Sequence, residues 1–166
     1  PTAEALQTVR WLGIPSRTVR IGPLVRAVMK GGPSKIGRNA SANVKARMRM
    51  VLRYLEANQN GRLVVGTGNK SELLVGYFTK HGDGGVDILP IGDLYKTQVR
   101  ALAEALDVPE AIRSLVPTAG LYPGQTDEGE LGITYEKLDS ILMGIELKLG
   151  RGQIAKRAGV PISEVD

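Results

Sequence analysis

A turn with the composition of a small-molecule site lies where an apolar segment meets a predicted helix. The sequence LVVGTGNKSE, residues 63–72, passes from an apolar run through two glycines into lysine, serine and glutamate. Glycine lets a ligand approach the backbone closely, and Thr67 offers a hydroxyl and an amide. Glu72 falls in the first helical turn, where the dipole favours a carboxylate and Mg²⁺ can be bound. A helix cap by Asn69 or Ser71, completed by Glu72, explains the same pattern, so both interpretations stay open.

A second candidate is the glycine-rich loop KHGDGGVD, residues 80–87. With Lys80, Asp83 and Asp87, it can present a cation and carboxylates to a sugar phosphate. A flexible surface turn is the simpler explanation. Arg47 and Lys96 lie on predicted helices, where each can contact a phosphate or remain a solvated charge.

Composition excludes several kinds of site. The 166 residues are 42% hydrophobic and 23% charged, which is typical of one globular domain. The chain has no cysteine, and its single histidine, His81, excludes a histidine-cluster metal site. No apolar run approaches the roughly 20 residues of a membrane span. The net charge of +5 fits a nucleotide or nucleic-acid partner, although a solvated basic surface also accounts for it.

Strand and helix patterns alternate along the chain, which predicts an α/β fold with parallel strands. RTVRI at 17–21 alternates as a strand does, and RLVVG at 62–66 has the composition of a buried strand. Two strands do not make a stable sheet, so we expect the sheet to be incomplete at its N-terminus. The predicted helical segments are 2–12, 22–30, 41–59, 70–79, 93–106, 109–115, 135–149 and 151–165.

Two segments near the C-terminus need separate interpretation. PTAGLYPGQTDEGELG, residues 117–132, is too polar and too rich in glycine and proline for regular structure, which predicts a disordered loop or a lid. QIAKRAGVPISEV, within 151–165, has the alanine and glycine spacing of a DNA-binding helix-turn-helix motif. A plain helical pair over 151–166 is the alternative.

Three ordered sequence blocks resemble the ammonia-dependent NAD synthetases, which belong to the N-type ATP pyrophosphatases. The blocks are NASANVKARMRM, VVGTGNKSELLVGYFTKHGDGGVDILPIGDLYKTQVRALA and VPTAGLYPGQTDEGELGITYEKLDSIL. The resemblance covers roughly residues 1–149. It implies one partial domain over 1–166 with an adenine-nucleotide-hydrolase-like (Rossmann-like) three-layer parallel-sheet fold, in which 117–132 is the lid loop.

The resemblance also implies an AMP-forming amidation. The carboxylate of deamido-NAD attacks the α-phosphate of ATP to give an acyl adenylate and pyrophosphate, and ammonia then displaces AMP to give NAD. Such a reaction asks the protein for positioning and charge neutralisation, so no catalytic side chain is predicted. The expected substrates are deamido-NAD, ATP and ammonia, with Mg²⁺ as the cofactor. A cytoplasmic homodimer is expected, with no membrane or nucleic-acid partner.

Seven residues match positions of the family motifs that contact substrates or metal. The implied ATP contacts are Thr67, Lys96 and Thr118. The implied Mg²⁺ ligand is Glu72. The implied deamido-NAD contacts are Arg47, Lys80 and Asp87.

The sequence departs from the family pattern in two places. It contains no SGGxDS pyrophosphate loop and no His-Lys pair of the kind found near the family's C-terminus. We therefore expect these 166 residues to be a piece of a longer protein and to be inactive alone. Two alternatives remain: another acid-adenylating ATP pyrophosphatase, and a helix-turn-helix DNA-binding protein that uses 151–165.

Overall fold

Helices make up most of the regular structure in a computed structural model of the protein. Residues 2–165 are described; Pro1 and Asp166, the ends of the predicted domain, lie outside the described residues. Each predicted helical segment contains a helix, most of them shorter than expected. The helices are α1 (Thr2–Leu12), α2 (Gly22–Lys30), α3 (Arg38–Gln59), α4 (Lys70–Val75), α5 (Lys96–Ala105), α6 (Glu110–Arg113), α7 (Asp127–Leu131), α8 (Tyr135–Glu146) and α9 (Arg151–Ala158), followed by a 3₁₀ turn (Ile162–Glu164).

Capping residues set the ends of the short helix α4. The Asn69 side chain accepts a hydrogen bond from the backbone N–H of Glu72, and the Glu72 carboxylate accepts one from the backbone N–H of Asn69. At the other end, Gly76 adopts a left-handed backbone with φ of 71°. Because such a backbone terminates a helix, α4 ends at Val75 and does not continue to residue 79 as predicted.

The predicted sheet is reduced to one parallel bridge within residues 2–165. Val65 pairs with Ile88, supported by a hydrogen bond of 2.9 Å from the Gly66 N–H to the Ile88 carbonyl. The parallel direction therefore agrees with the prediction. The predicted strand at 17–21 is wrong, because that segment has no ladder in the described residues. The buried strand predicted at 62–66 is reduced to the bridge residue Val65, and Leu63 and Val65 are exposed. A strand requires a neighbour that completes its backbone hydrogen bonds, and alternation in sequence cannot supply one.

The segment 117–132 contains regular structure that the sequence analysis missed. Helix α7 begins after Thr126, whose hydroxyl accepts a hydrogen bond from the Gly129 N–H at 3.2 Å. It ends at Gly132, which has a left-handed backbone with φ of 73°. Both are standard helix-end signals, so the expectation of an irregular loop throughout is wrong for residues 127–131.

Helix α8 lies at the centre of the helical packing. Helices α4, α5 and α9 all pack against it. Its Ile141 forms a buried cluster with Ile154 and Val160 from the following helix and turn. Its other buried face carries Tyr135 and Asp139 toward α4 and α5. This helix therefore fixes how α4 and α5 sit relative to each other.

The C-terminal segment packs as a helical pair on α8. Helix α9 is followed by Gly159 and then by only one 3₁₀ turn within the described residues. Ile154 and Val160 pack in the α8 core, as the apolar positions of a helical pair do. No second α-helix that could enter a major groove follows Gly159 within residues 2–165, so the DNA-binding alternative is not favoured. Among residues 2–165, no helix is both long and apolar enough to cross a membrane.

Candidate functional site

A cavity of about 590 Å³ brings together four of the seven predicted site residues. Its walls include Thr67, Glu72, Lys96 and Thr118, which come from four separate segments of the chain. We call this space the site cavity. Four further charged residues line it: Arg49, Arg53, Asp83 and Asp127. The sequence analysis considered only Asp83 among them, as a carboxylate of the loop 80–87, and assigned no role to the other three.

The carboxylate of Glu72 takes part both in the helix cap and in the site cavity. Its Oε2 accepts the N-cap hydrogen bond of Asn69 at 3.1 Å. Its Oε1 lies 3.3 Å from the Lys96 ammonium. The capping interpretation of this stretch is thus confirmed. It does not remove Glu72 from the site, because the second oxygen of the carboxylate faces the cavity-lining Lys96.

Lys96 holds a half-buried positive charge at the start of α5. Its ammonium lies 3.3 Å from Glu72 and 5.1 Å from the ring centroid of Tyr135. The side chains of Lys96 and Glu72 are 19% and 17% exposed, so water screens this pair only in part. An anionic ligand in the cavity would meet a cation that is already oriented.

Buried polar groups beneath the cavity support this arrangement. The Ser71 hydroxyl accepts a hydrogen bond from the Lys96 backbone N–H at 2.9 Å and donates one to Asp139. The second oxygen of Asp139 accepts from the Thr97 N–H at 2.8 Å. Ser71 and Asp139 are 0% and 1% exposed. A sequence signal existed, since Asp139 lies four residues after Tyr135 on the buried face of an amphipathic helix.

The segment 117–132, part of which lines the cavity, is held in place by an acidic and phenolic network. The Tyr135 hydroxyl donates to buried Asp127 at 3.2 Å, and the Tyr77 hydroxyl donates to Glu130 at 2.5 Å. Burial, reinforced by the charge of Asp127, raises the pKa of Tyr135. Its phenol therefore stays protonated and continues to donate at neutral pH.

Side chains of helix α3 hold the first part of the segment 117–132 through its backbone carbonyls. The Lys45 ammonium donates to the Leu121 carbonyl at 2.6 Å, and the Arg49 guanidinium donates to the carbonyls of Ala119 and Gly120, each at 3.3 Å. The Thr118 hydroxyl accepts from the Gly120 N–H at 3.1 Å. The segment that carries Thr118 is thereby placed at the cavity wall.

The three residues predicted to bind deamido-NAD lie outside the site cavity. We call Arg47, Lys80 and Asp87 the outer group. The Arg47 guanidinium donates to the backbone carbonyl of Lys80 at 3.2 Å. Both Asp87 oxygens accept internal hydrogen bonds, one from Val64 N–H at 2.7 Å and one from Tyr54 hydroxyl at 2.9 Å. All three residues are exposed.

The loop between Lys80 and Asp87 is tightly folded at one point. The Gly82 N–H donates to the Thr79 carbonyl at 2.8 Å. A Cβ at Gly82 would lie 2.9 Å from the Cβ of Ala46 and 2.9 Å from that of Thr79. Glycine is therefore required there by close packing against α3, which a freely moving surface turn would not need.

No group of three or more carboxylate or histidine side chains within residues 2–165 could by itself enclose a metal ion. Glu72 offers one carboxylate at the cavity wall. Mg²⁺ keeps several water ligands and is commonly bound by one or two carboxylates plus substrate phosphates. The donor set present therefore fits Mg²⁺ that arrives with a phosphate ligand, and does not fit an all-protein metal cage.

Known proteins match this chain along nearly its whole length. The family model described as NAD synthase matches residues 2–166. A protein of Methanococcoides burtonii named NH(3)-dependent NAD(+) synthetase is 47% identical over 98% of this chain. One of Archaeoglobus fulgidus with the same name is 55% identical over 86% of it. The chain spans 62% and 58% of those two proteins, about three fifths of the length of the curated relatives it matches.

Solved structures of related enzymes align with this chain over most of its length. The structure titled NMN synthetase from Francisella tularensis aligns with a TM-score of 0.82 and 43% identity over 86% of this chain and 60% of that one. An NH3-dependent NAD synthetase from Campylobacter jejuni aligns with a TM-score of 0.72 and 28% identity over 95% of this chain and 66% of that one. The described residues therefore share the fold of these enzymes over most of their length.

Proposed function

The chain belongs to the NAD synthase family, and on that premise we propose that the whole protein is an ammonia-dependent NAD synthetase. In the proposed reaction, a carboxylate oxygen of deamido-NAD attacks the α-phosphate of ATP and pyrophosphate leaves. The product is an acyl adenylate, in which AMP is a good leaving group. Ammonia attacks the acyl carbon, AMP departs, and one proton is released as the amide of NAD forms.

The observation that carries this proposal is the convergence at the site cavity. Thr67, Lys96 and Thr118 are the proposed contacts of ATP, and all three line one space with Glu72. Lys96 supplies the positive charge that attracts the phosphates, since its ammonium is only partly screened by water. Thr67 and Thr118 supply hydroxyl groups from two different segments, the turn before α4 and residues 117–132.

The proposed place of Mg²⁺ is between Glu72 and the phosphates. When bound, Mg²⁺ would neutralise charge that develops on the phosphate oxygens. Glu72 is positioned for this by its N-cap hydrogen bond, which fixes the side chain at the first turn of α4. The ammonium of Lys96, 3.3 Å away, would share the task of charge neutralisation.

Positioning accounts for what the described residues contribute to the reaction. The chain presents no cysteine and one histidine, and no described side chain is needed as a nucleophile in an adenylation driven by the substrate's own carboxylate. The lid, held by Asp127 and Glu130, excludes water from the acyl adenylate, which would otherwise hydrolyse.

The remaining parts of the proposal concern the acid substrate and the assembly. Arg47, Lys80 and Asp87 are the proposed contacts of deamido-NAD. We further propose a cytoplasmic homodimer and a complete three-layer parallel sheet in the whole protein. Apolar side chains exposed along α3, Val51 at 47% and Leu55 at 64%, support a covered face on that helix.

We also propose that these 166 residues bind ATP but do not catalyse the reaction on their own. No SGGxDS sequence occurs among them, so backbone amides that would hold the pyrophosphate in this family are not contributed by this stretch. Binding assays therefore suit the chain itself, whereas product assays require the whole protein.

A second candidate differs only in the acid. The Francisella tularensis structure, 43% identical, is titled NMN synthetase. By that protein's name, the acid substrate would be nicotinic acid mononucleotide, amidated through an acyl adenylate of the same kind. The two candidates share every step at the site cavity and differ in whether an AMP moiety extends from the acid.

A product assay on the whole protein separates these possibilities. We would supply Mg·ATP and ammonia with either deamido-NAD or nicotinic acid mononucleotide, and resolve nucleotides by chromatography. NAD and AMP formed in equal amounts from deamido-NAD, with a higher kcat/KM than for the mononucleotide, are expected. A preference for the mononucleotide would move the assignment to NMN synthesis. ADP in place of AMP would overturn both candidates.

A further inference from the structure

Two acidic residues of α8 each connect α4 to α5. Asp139 reaches Ser71 on α4 and the Thr97 N–H on α5. Glu146, seven residues further along the same helix, accepts from the Lys70 ammonium at 2.8 Å and from the Tyr95 hydroxyl at 2.8 Å. The seven-residue spacing places both carboxylates on one face of α8. The two links differ mainly in burial, since Asp139 is 1% exposed and the Glu146 side chain is 55% exposed.

The buried position of Asp139 is costly for a carboxylate. No ion pair in the described part of the chain involves it, and its oxygens are satisfied by one hydroxyl and one backbone amide. Desolvation of a carboxylate must be offset by such hydrogen bonds and by the dipole at the start of α5. An apolar replacement would avoid that cost but would leave the Ser71 hydroxyl and the Thr97 N–H without their acceptor, so the carboxylate ties the start of α5 to α4.

The hydrogen bonds of Asp139 consume the first amides of α5. The Thr97 N–H donates to Asp139, and the Lys96 N–H donates to Ser71, which itself donates to Asp139. These two amides are therefore not available to a phosphate. The Lys96 ammonium, not these two amides, is the group that this helix start directs toward Glu72 and the cavity.

We propose that Asp139 is a positioning residue that sets the Lys96 ammonium against Glu72 through the Ser71 hydroxyl and the first turn of α5. The proposal rests on the proposed function insofar as Lys96 contacts ATP. Without the buried link, the start of α5 can shift relative to α4, and Lys96 leaves its position at the cavity wall. Groups that orient a binding residue in this way typically influence ligand affinity by about 10- to 100-fold.

The test compares Asp139→Asn with Glu146→Gln in the whole protein. Both changes remove one negative charge from α8 with little change in shape, and both weaken a link between α4 and α5. Steady-state assays give kcat and the KM for ATP and deamido-NAD. Calorimetry with a non-hydrolysable ATP analogue and Mg²⁺ gives a dissociation constant that does not depend on the acid substrate.

We expect Asp139→Asn to raise the KM for ATP and the analogue's dissociation constant by about tenfold or more. The KM of Asp139→Asn for deamido-NAD should stay within about twofold of the original value. In Glu146→Gln, kcat, both KM values and the analogue's dissociation constant should all stay within about twofold. If Asp139→Asn does not fold, Ser71→Ala tests the same route, because it removes only the relay between Asp139 and the Lys96 N–H. A smaller shift in the same direction is expected.

The outcomes separate this inference from the proposed function. If Asp139→Asn binds the ATP analogue more weakly than the original protein does, the inference is supported, whether or not NAD is made. If the original protein makes no NAD, only the proposed acid substrate is refuted. NAD formation with unchanged ATP constants in a folded Asp139→Asn or Ser71→Ala would overturn the inference alone. Equal weakening in Glu146→Gln would overturn it as well, as would failure of the original protein to bind the analogue.

Discussion

The same resemblance predicted the residues of the site cavity and those of the outer group. In the structure the first set lines one cavity, whereas the second set lies outside it. Thr67, Glu72, Lys96 and Thr118 come from four segments and line one space. Asp87 of the outer group directs both oxygens to groups of its own chain. One set of side chains is arranged around a ligand-sized volume, and the other includes a side chain that is occupied in holding the backbone.

The two sets of side chains differ because only the site cavity has buried polar groups beneath it that fix the surrounding helices. Ser71 and Asp139 are buried under the site cavity and fix the helices that carry Glu72 and Lys96. In the outer group, Lys80 and Asp87 lie at the ends of a loop beside the Val65–Ile88 bridge, and Arg47 lies on an exposed position of α3. All three side chains are exposed, so few buried contacts orient them. Side chains on rigid elements with a buried supporting layer hold their geometry, whereas exposed ones adapt to local hydrogen-bonding demands.

The largest expected effect is on Lys96. Lys96→Met removes the cation at the cavity wall and should lower kcat/KM by about a hundredfold or more, mainly through ATP binding and transition-state charge. Arg100→Gln is the matched control. Arg100 lies on the same helix and near the same Tyr135 ring at 5.9 Å, but it pairs with Glu136 outside the cavity.

Steady-state kinetics of both variants of the whole protein would decide the role of Lys96. If both variants lose activity equally, the general charge of α5 matters and the position of Lys96 at the cavity does not. The distinction between the site cavity and its surroundings would then fail.

An intermediate effect is expected from Asp87. Asp87→Ala leaves the buried Val64 N–H without its 2.7 Å acceptor and should lower the free energy of unfolding by about 1–3 kcal/mol. Asp87→Asn keeps an oxygen that can accept from Val64, so it should recover most of that loss. Urea unfolding of this chain and of the two variants measures the difference.

The same two variants test whether Asp87 also binds deamido-NAD. A carboxylate has lone pairs to spare after two hydrogen bonds, so a ligand contact is compatible with the observed geometry. If stability is unchanged in Asp87→Ala while the KM for deamido-NAD rises in both variants, Asp87 is a ligand contact first. The contrast between the two regions would then be lost.

The helices were predictable because their signals are local. Apolar spacing and capping residues within each segment were enough to locate α3, α4 and α8, with errors at the ends. The end of α4 at Val75 was missed because the left-handed backbone of Gly76 was not weighed as a stop signal. Helix α7 is not predicted because its glycines and acids have the composition of a loop, although Thr126 and Gly132 delimit it.

The sheet and the supporting residues were harder to predict because they depend on partners distant in sequence. Polar and apolar residues alternate at 17–21 as in a strand, but this segment forms no hydrogen-bonded ladder among residues 2–165. Asp139 touches Ser71 across 68 positions of sequence, and nothing local distinguishes it from a solvated acid except its place on the buried face of α8. Motif positions identified the cavity residues, whereas the groups that orient them required the packing of α4, α5 and α8.

The smallest expected effect concerns the proposed lid, residues 117–132. Glu130 accepts hydrogen bonds from Tyr77 and Gln125 at 2.5 and 2.9 Å, and from Tyr122. The hydrogen bond from Tyr122, followed by those from Tyr77 and Gln125, lowers the pKa of Glu130 below its ordinary value of 4.5. A lowered pKa in the folded state means that the ionised carboxylate stabilises the fold above that ordinary value.

This stabilisation is lost as the pH falls through the lowered pKa of Glu130. Glu130→Gln, which keeps one acceptor, should therefore lower the free energy of unfolding by about 1 kcal/mol or less at pH 7. The difference in Tm between the original chain and the variant should shrink as the pH falls below 4.5 and through the lowered pKa of Glu130. Glu110→Gln, an exposed acid paired with Arg113 outside the lid, is the control and should show little difference at pH 7. A Tm difference for Glu130→Gln that is constant with pH would show that the carboxylate charge does not hold the lid, and the closed lid would then depend on Asp127 and the α3 cations alone.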